Sequence, residues 1–140
     1  MRRRDLIAAS TLLPAVAAGQ ALADDAPRPR GASLNMPGVG LPVITEGRLR
    51  NYVFVALRLH LGGSATPESM RPREAFLRDA LIRAGHRTPF IVPGDWNRID
   101  AAALSASLMR SAAALVGRGA VTRVEIVSQT PRRRVTARPA

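Results

Sequence analysis

Few residues of this chain have the side chains and spacing that chemistry needs. Its 140 residues include no cysteine and two histidines, so a metal site would depend on His60, His86 and carboxylates such as Asp95 or Asp100. Neither histidine has the short helical spacing that places two ligands on one side of an ion. His60 fits the exposed end of a strand, and His86 fits a helix C-terminus, where a cation is favoured. The sequence therefore predicts no metal and no cofactor.

Catalytic arrangements of other kinds are not indicated either. No serine stands in the Gly-x-Ser-x-Gly turn that exposes a nucleophile. Glu74 and Asp79 each precede an arginine by four residues, which is the spacing of ion pairs on a solvated helix face. The glycines of Gly62-Gly63 and Gly117-Arg118-Gly119 lack the spacing of a phosphate-binding loop and fit turns. We therefore expect no catalytic residues and a protein that is not an enzyme.

The N-terminus has the pattern of an export signal, assigned here to residues 1–23. A cationic start precedes an uncharged, Ala- and Leu-rich stretch and then small residues at the positions that a signal peptidase recognises. The start also fits the twin-arginine pattern, with Sec export as the alternative. The prediction is a periplasmic protein, or one tethered to the inner membrane if the signal is not cleaved. Recognition would depend on Arg3, Arg4 and Leu6, and cleavage on Ala21, Ala23 and Asp24.

Positive charge is the one persistent chemical feature. All 21 basic residues are arginine, against 10 acidic residues, which gives a formal net charge of +11. In a cytoplasmic protein this would first suggest nucleic acid, but an exported protein meets anionic lipid headgroups, cell-wall polymer and acidic proteins instead. We therefore expect no nucleic-acid partner. The candidate anion-binding residues lie in the C-terminal tail, for which a merely solvated tail is the alternative: Arg132, Arg133, Arg134 and Arg138.

Hydrophobic periodicity predicts the strands that would position these residues. Strict alternation from Arg48 to Leu61 predicts a half-buried strand with one aliphatic face. A second strand is predicted over 120–129. Residues 24–47 are rich in proline and glycine and are predicted to be a linker with a short strand at 41–45. Residues 130–140 are predicted to be a disordered basic tail.

Two helices are predicted between the strands. Thr66 as N-cap, followed by Pro67 at the first helical position, begins a helix that Pro72 should kink or restart and Gly85 should end. A connecting loop follows over 86–98, in which Trp96 either covers the core or is an exposed partner contact. The second helix extends from its N-cap Asp100 to Val116. This order of strand, helix, loop, helix and strand predicts an α+β domain over 48–129, with two helices packed on a small sheet.

Three segments carry a family resemblance. They are the strand segment Tyr52-Val53-Phe54-Val55-Ala56-Leu57, the helix run Arg73-Glu74-Ala75-Phe76-Leu77-Arg78-Asp79-Ala80-Leu81-Ile82, and the last strand Val121–Val127 followed by Ser128-Gln129. With these segments, the stretch 50–129 resembles the periplasmic domain of the flagellar basal-body-associated FliL proteins. The helix run, with its charged pairs, is the more specific of the matches.

The resemblance implies a stomatin-like α+β fold without catalytic residues. It also implies association with the flagellar basal body and its stator in support of motility, and the ring formed by some relatives makes a homo-oligomer one hypothesis. The alternative is an exported module that binds an anionic cell-wall polymer or lipid through its arginine-rich surface and tail. The candidate partner contacts are Arg71, Arg73, Arg78, Arg83 and Trp96.

Overall fold

The computed structural model describes residues 31–136, which form a mixed α+β fold. This confirms the predicted class. The predicted export signal, with Arg3, Arg4, Leu6, Ala21, Ala23 and Asp24, lies outside the described residues, as does Arg138. In chain order the elements are β1 (Ser33–Thr45), β2 (Arg48–Leu61), α1 (Pro67–Met70), a 3-10 turn (Arg71–Arg73), α2 (Glu74–Arg87), β3 (Ile91–Val92), β4 (Asp95–Ile99), α3 (Ala101–Leu115) and β5 (Val121–Pro131).

A three-stranded antiparallel sheet in the order β1-β2-β5 organises the fold, with β2 in the centre. A two-residue turn joins β1 to β2, and both of its residues, Glu46 and Gly47, have positive φ. Such a turn matches the twist of the strands that it connects. Alternate residues of β2 face the core, as predicted, and they are almost fully buried: Val53, Val55, Leu57 and Leu59.

Two helices cover one face of this sheet. Leu77 and Leu81 of α2, with Leu104 and Leu108 of α3, are fully buried against it. Both predicted N-caps are present, since the Thr66 hydroxyl accepts from the Ser69 amide at 3.1 Å. The Asp100 carboxylate likewise accepts from the amide of residue 103 at 3.1 Å. The 3-10 turn contains Pro72, where the kink was predicted.

The segment 86–98, predicted to be a loop, instead contains a short hairpin of β3 and β4. Its turn is Pro93-Gly94, and the glycine has a positive φ of 75° that suits it to this position. The Gln129 side chain of β5 holds the hairpin by accepting from the Ile99 amide at 2.8 Å. A side-chain contact made 30 residues away leaves no local pattern, so periodicity could not detect this hairpin.

The predicted linker over 24–47 is wrong for residues 33–40, which already belong to the edge strand β1, whereas the short strand predicted at 41–45 is confirmed as the end of β1. The strand has a bulge at Pro37-Gly38, where the register with β2 shifts. Beyond this bulge Val39, Leu41 and Val43 are fully buried. Proline is tolerated at edge strands and bulges, so the prolines and glycines that suggested a linker are compatible with a strand here.

The predicted tail over 130–140 is wrong in its first part. Strand β5 continues to Pro131, and the Arg132 amide donates to the Tyr52 carbonyl at 2.8 Å. The side chain of Asn97 then accepts from the Val135 amide at 2.8 Å and donates to its carbonyl at 2.7 Å. These contacts come from strands far away in sequence, which a compositional argument does not see.

Helix α2 also continues past Gly85, the residue predicted to end it, as far as Arg87. Gly85 is buried where α2 crosses β1. A Cβ atom at this position would lie 3.0 Å from the Leu41 Cδ2 atom and 3.6 Å from a ring carbon of Phe90. The absence of a side chain at Gly85 therefore serves close packing rather than helix termination.

Candidate functional site

Two surfaces of the structure contain some of the residues that were predicted as contacts. The first, here called the α2 surface, consists of Phe76, Asp79 and Arg83 on one exposed side of α2, with Arg73 at the end of the 3-10 turn that precedes the helix. The second, called the C-terminal concavity, is lined by Leu49, Arg50, Asn51, Tyr52, Arg132 and Arg133 and has a volume of about 370 Å³. Trp96 lies beside the second surface, because its carbonyl oxygen accepts from the Asn51 side chain.

The α2 surface has an exposed aromatic ring among charged side chains. Phe76 is 59% exposed. Asp79, three positions after it, and Arg83, seven positions after it, lie on the same side of the helix. Arg83 pairs with Asp79 at 2.9 Å, and both side chains are mostly exposed. Arg73 lies at the start of the helix and forms no ion pair with an acidic residue within 31–136. Aromatic and arginine side chains are enriched in protein interfaces, so this surface is a candidate contact site.

Two of the predicted contacts differ from this arrangement. Arg78 forms two hydrogen bonds to the Glu74 carboxylate, at 2.6 and 3.1 Å, and both side chains are about two thirds buried. Its charge is therefore neutralised within the helix. Arg71 is exposed in the 3-10 turn that precedes α2, five positions before Phe76.

Trp96 lies in β4 and packs against the hydrophobic core. The guanidinium carbon of Arg50 lies 4.8 Å from the centroid of its ring, within the range of a cation–π contact. Arg50 also donates to the Thr45 hydroxyl at 3.1 Å and to the Glu46 carboxylate at 3.2 Å. The tryptophan thus covers the core under an arginine, which agrees with the first of its two alternatives.

The C-terminal concavity collects positive charge at one end of the sheet. Arg132, Arg133 and Arg134 are exposed, and the first two line the concavity together with Arg50. Glu46, paired with Arg50, provides partial neutralisation. The backbone of this segment is hydrogen bonded to β2 and β4 as far as residue 135, so the three arginines project from an ordered part of the chain. The arrangement can attract an anion.

A third charged group, called here the Glu125 cluster, lies on the sheet face opposite the helices. The Glu125 Oε2 atom is 2.8 Å from His60 Nε2, 3.7 Å from an Arg123 nitrogen and 3.8 Å from an Arg58 nitrogen. The hydrogen bond from His60, followed by the nearby charges of Arg58, His60 and Arg123, lowers the pKa of the Glu125 carboxyl, although partial desolvation opposes the shift. The cluster keeps this carboxyl ionised to lower pH.

One nitrogen of His60 has two neighbours that need opposite roles from it. The same Nε2 lies 2.8 Å from the carboxylate and 3.1 Å from an Arg123 nitrogen, which can only donate. We assign an Nε2–H that donates to Glu125, because this contact is the shorter and involves a carboxylate. Arg123 then interacts with the cluster through the carboxylate.

Neither Phe76 as a contact residue nor the Glu125 cluster was predicted from the sequence. Phe76 precedes the buried Leu77 within an apolar stretch, and the exact rotation of the helix decides which of the two faces solvent. The cluster depends on strand register, which pairs Arg58 with Glu125 and His60 with Arg123 across β2 and β5. The alternation of β2 showed that Arg58 and His60 share its polar face. It did not show the register of β5, which decides that Glu125 and Arg123 lie opposite them.

The described part of the chain shows neither a metal-binding cluster nor a membrane-spanning helix. Within residues 31–136, no three His, Asp or Glu side chains are grouped so that they could hold a metal ion. In the same range no helix has the length and apolar character needed to cross a bilayer. Comparison of the chain with protein-family models, curated proteins and solved structures finds no match.

Proposed function

We propose that this protein is a non-enzymatic periplasmic accessory protein that works by contact with other proteins. Its partners, by the resemblance of residues 50–129 to FliL, are components of the flagellar basal body and stator, and its role is to support motility. The observation that carries the proposal is the exposed ring of Phe76 on the α2 surface, between Arg73 and Arg83.

The difference between two consecutive residues supports a binding role for Phe76. Leu77 is fully buried and holds α2 on the sheet, whereas Phe76 exposes most of its ring. Aromatic and arginine side chains are enriched among the residues that dominate the energy of protein interfaces. A partner that covered Phe76 would remove its apolar surface from water, while the surrounding charges would set the orientation of the complex.

The helix run that carries the resemblance contains this surface. Within Arg73–Ile82, the buried residues Leu77 and Leu81 contact the core, and the remaining side chains are exposed or partly exposed. One ten-residue segment therefore supplies both the attachment of α2 to the fold and the candidate contact surface.

Swimming behaviour tests this proposal. We expect deletion of the gene to reduce spreading in soft agar, and we expect the Phe76→Ser variant to restore less spreading than the wild-type gene. The matched control is Val127→Ser, which removes a half-exposed apolar side chain at the β5 bulge, away from α2. Full motility of the deletion strain, or equal defects in the two variants at equal protein levels, would contradict the proposal.

Site-specific photo-crosslinking tests the contact directly. A photoreactive phenylalanine analogue at position 76 should capture a basal-body or stator protein in cells, whereas the same analogue at position 127 should not. Capture of such a protein from position 127 alone would place the contact on the open sheet face and would overturn the assignment to α2.

Binding to an anionic polymer or lipid is a second candidate, and the C-terminal concavity favours it. The test measures sedimentation of the protein with peptidoglycan and with phosphatidylglycerol vesicles at low and high salt. Replacing Arg132, Arg133 and Arg134 with glutamine should abolish salt-sensitive binding, since screening weakens exposed charges. A control with Arg87, Arg98 and Arg110 replaced should bind as before; equal loss would indicate nonspecific attraction to net charge.

A further inference from the structure

Two glycine-containing turns meet at the end of the sheet opposite the β1–β2 turn. Gly62-Gly63 follows β2, and Gly117–Gly119 precedes β5, and the pairing of Leu61 with Val121 brings the turns together. The Gly62 amide donates to the carbonyl of residue 120 at 3.1 Å. The approach is close, because a Cβ atom on Gly62 would lie 2.5 Å from the Thr122 methyl carbon and 2.9 Å from the Gly119 carbonyl oxygen.

A groove of about 570 Å³ lies between these turns, α1 and the end of α3. We call it the end groove, and its residues include Gly63, Ser69, Arg73, Leu115, Val116 and Arg118. Its volume is within the range of about 300–1,000 Å³ that is typical of ligand sites in proteins.

The end groove offers an apolar surface beside positive charge. Leu115 is 41% exposed, although it belongs to a helix whose other leucines are buried. Arg73 and Arg118 are both exposed, and neither forms an ion pair with an acidic residue of the described range. Among residues 31–136, none of the side chains that line the groove is acidic. Its two arginines are therefore available to an external anion.

We propose that the end groove binds a peptide segment of a partner protein that presents an acidic side chain next to an aliphatic or aromatic one. Two guanidinium groups favour a carboxylate, and Leu115 and Val116 favour an apolar side chain. A free phosphate or a sugar acid would satisfy the arginines alone and would leave Leu115 exposed. A peptide with both kinds of side chain satisfies the arginines and covers Leu115.

This inference deepens the proposed function, because Arg73 belongs to both the α2 surface and the end groove. A partner that contacts Phe76 could extend an acidic segment past Arg73 into the groove. The chemistry of the groove is nevertheless independent of Phe76 and of any flagellar role, so each can fail alone.

The test selects peptides on the full-length protein from a displayed library of random 12-residue sequences. We expect the selected peptides to be enriched in Asp or Glu next to Leu, Ile, Val or Phe. A synthetic peptide of the selected sequence should bind the Arg118→Gln and Leu115→Ser variants at least about tenfold more weakly, a loss of roughly 1.4 kcal/mol in each case. The matched controls are Arg98→Gln and Val127→Ser, which alter an exposed arginine and a half-exposed apolar side chain outside the groove.

Several outcomes would overturn the proposal. One is a selection without acidic–apolar pairs, and another is equal weakening by the control variants. A third is a selection that yields no peptide while phosphatidylglycerol vesicles bind the wild-type protein but not the Arg118→Gln variant. This outcome would make the groove a lipid site. Thermal unfolding of each variant verifies folding, and Arg118→Lys, which keeps the charge, provides a second variant that should retain most of the affinity. If the deletion strain loses motility and no peptide is selected, only the proposal for the groove is rejected. If peptides are selected and the deletion strain swims normally, only the flagellar role is rejected.

Discussion

The side-chain Nδ2 of Asn51 donates a hydrogen bond to the carbonyl oxygen of Arg133 at 2.8 Å, across 82 positions of the chain. The second hydrogen of the same nitrogen is donated to the Trp96 carbonyl at 3.0 Å, and the Oδ1 atom accepts from the Tyr52 amide at 2.9 Å. Asn51 is only 5% exposed. One buried amide therefore joins the central strand, the small hairpin and the C-terminal segment.

Replacing Asn51 with alanine should lower the free energy of unfolding by about 1–3 kcal/mol, since partly buried carbonyls would lose their donors. Urea denaturation measures this change. The control is Asn35→Ala, because Asn35 is exposed and, among residues 31–136, its side chain forms one hydrogen bond, accepted from Arg58 at 3.3 Å. We expect the control to change stability by less than about 0.5 kcal/mol. Equal effects of the two substitutions would show that the Asn51 contacts add nothing to the fold.

Limited trypsin digestion provides a second measurement on the same variant. With its hydrogen bond to Arg133 removed, the C-terminal segment should be cleaved faster after Arg132, Arg133 or Arg134 than in the wild-type protein. Mass spectrometry identifies the cleavage positions. Faster cleavage elsewhere, with the C-terminal sites unchanged, would argue against this role of Asn51.

Local sequence patterns were sufficient for the elements whose determinants are local. Alternation over Arg48–Leu61 predicted β2, because each alternate side chain faces the core. Thr66 and Asp100 marked helix starts, because a cap hydrogen bond reaches only three residues along the chain. These elements also fixed the α+β class.

The remaining elements depend on contacts between distant residues. Strand β1 contains the bulge at Pro37-Gly38, which interrupts its alternation and makes its composition resemble that of a linker. The β3–β4 hairpin and the C-terminal segment are held by the side-chain amides of Asn51, Asn97 and Gln129. Nothing in the neighbourhood of these residues indicates their partners, so no local pattern predicts them.

The candidate surfaces were likewise predictable from the sequence only in part. The charges of α2 followed from helical spacing, which placed Arg78 and Arg83 beside acids four residues earlier. The exposure of Phe76 could not be predicted without knowing how α2 packs on the sheet. The end groove could not be predicted without knowing the register of β2 with β5. The two glycine turns were interpreted correctly as turns, but only the fold brings them together.

The Glu125 cluster predicts a dependence of stability on pH. The folded-state pKa of Glu125 lies below its ordinary value, chiefly because of the His60 hydrogen bond. The stabilisation from its ionised form is therefore fully present above the pKa of the unfolded chain and is lost as pH falls through the folded pKa. Glu125→Gln should be less stable than wild type near about pH 7, and the difference should shrink towards about pH 3.

Urea denaturation at a series of pH values measures this difference. The His60→Ala variant tests the cause, because it removes the largest contribution to the shift while leaving both arginines. In that background, the effect of Glu125→Gln should depend less on pH. An unchanged pH dependence would assign the shift to Arg58 and Arg123 instead, and high salt should then reduce it.

Gly62→Ala should destabilise the protein because no space exists for a methyl group at the contact of the two glycine turns. The new carbon would lie 2.9 Å from the Gly119 carbonyl oxygen, and backbone atoms cannot move aside as a flexible side chain can. We expect a loss of about 1–3 kcal/mol, as for other overpacked sites. The control is Gly31→Ala, whose methyl group would have its nearest contact at an ordinary 3.7 Å. Similar thermal unfolding of the two variants would contradict the close approach of the turns.

Leu77→Ala and Phe76→Ala compare the two sides of α2 at adjacent positions. Leu77 is fully buried between the helix and the sheet, so its truncation should cost about 2–5 kcal/mol through lost apolar burial and a residual cavity. Phe76 is mostly exposed, so its truncation should change stability by less than about 0.5 kcal/mol. If the motility defect followed stability, only Leu77→Ala would impair swimming. A motility defect in Phe76→Ala, at wild-type stability and protein level, would instead show that the exposed ring acts by contact. Urea denaturation and soft-agar spreading of the same variants distinguish the two outcomes.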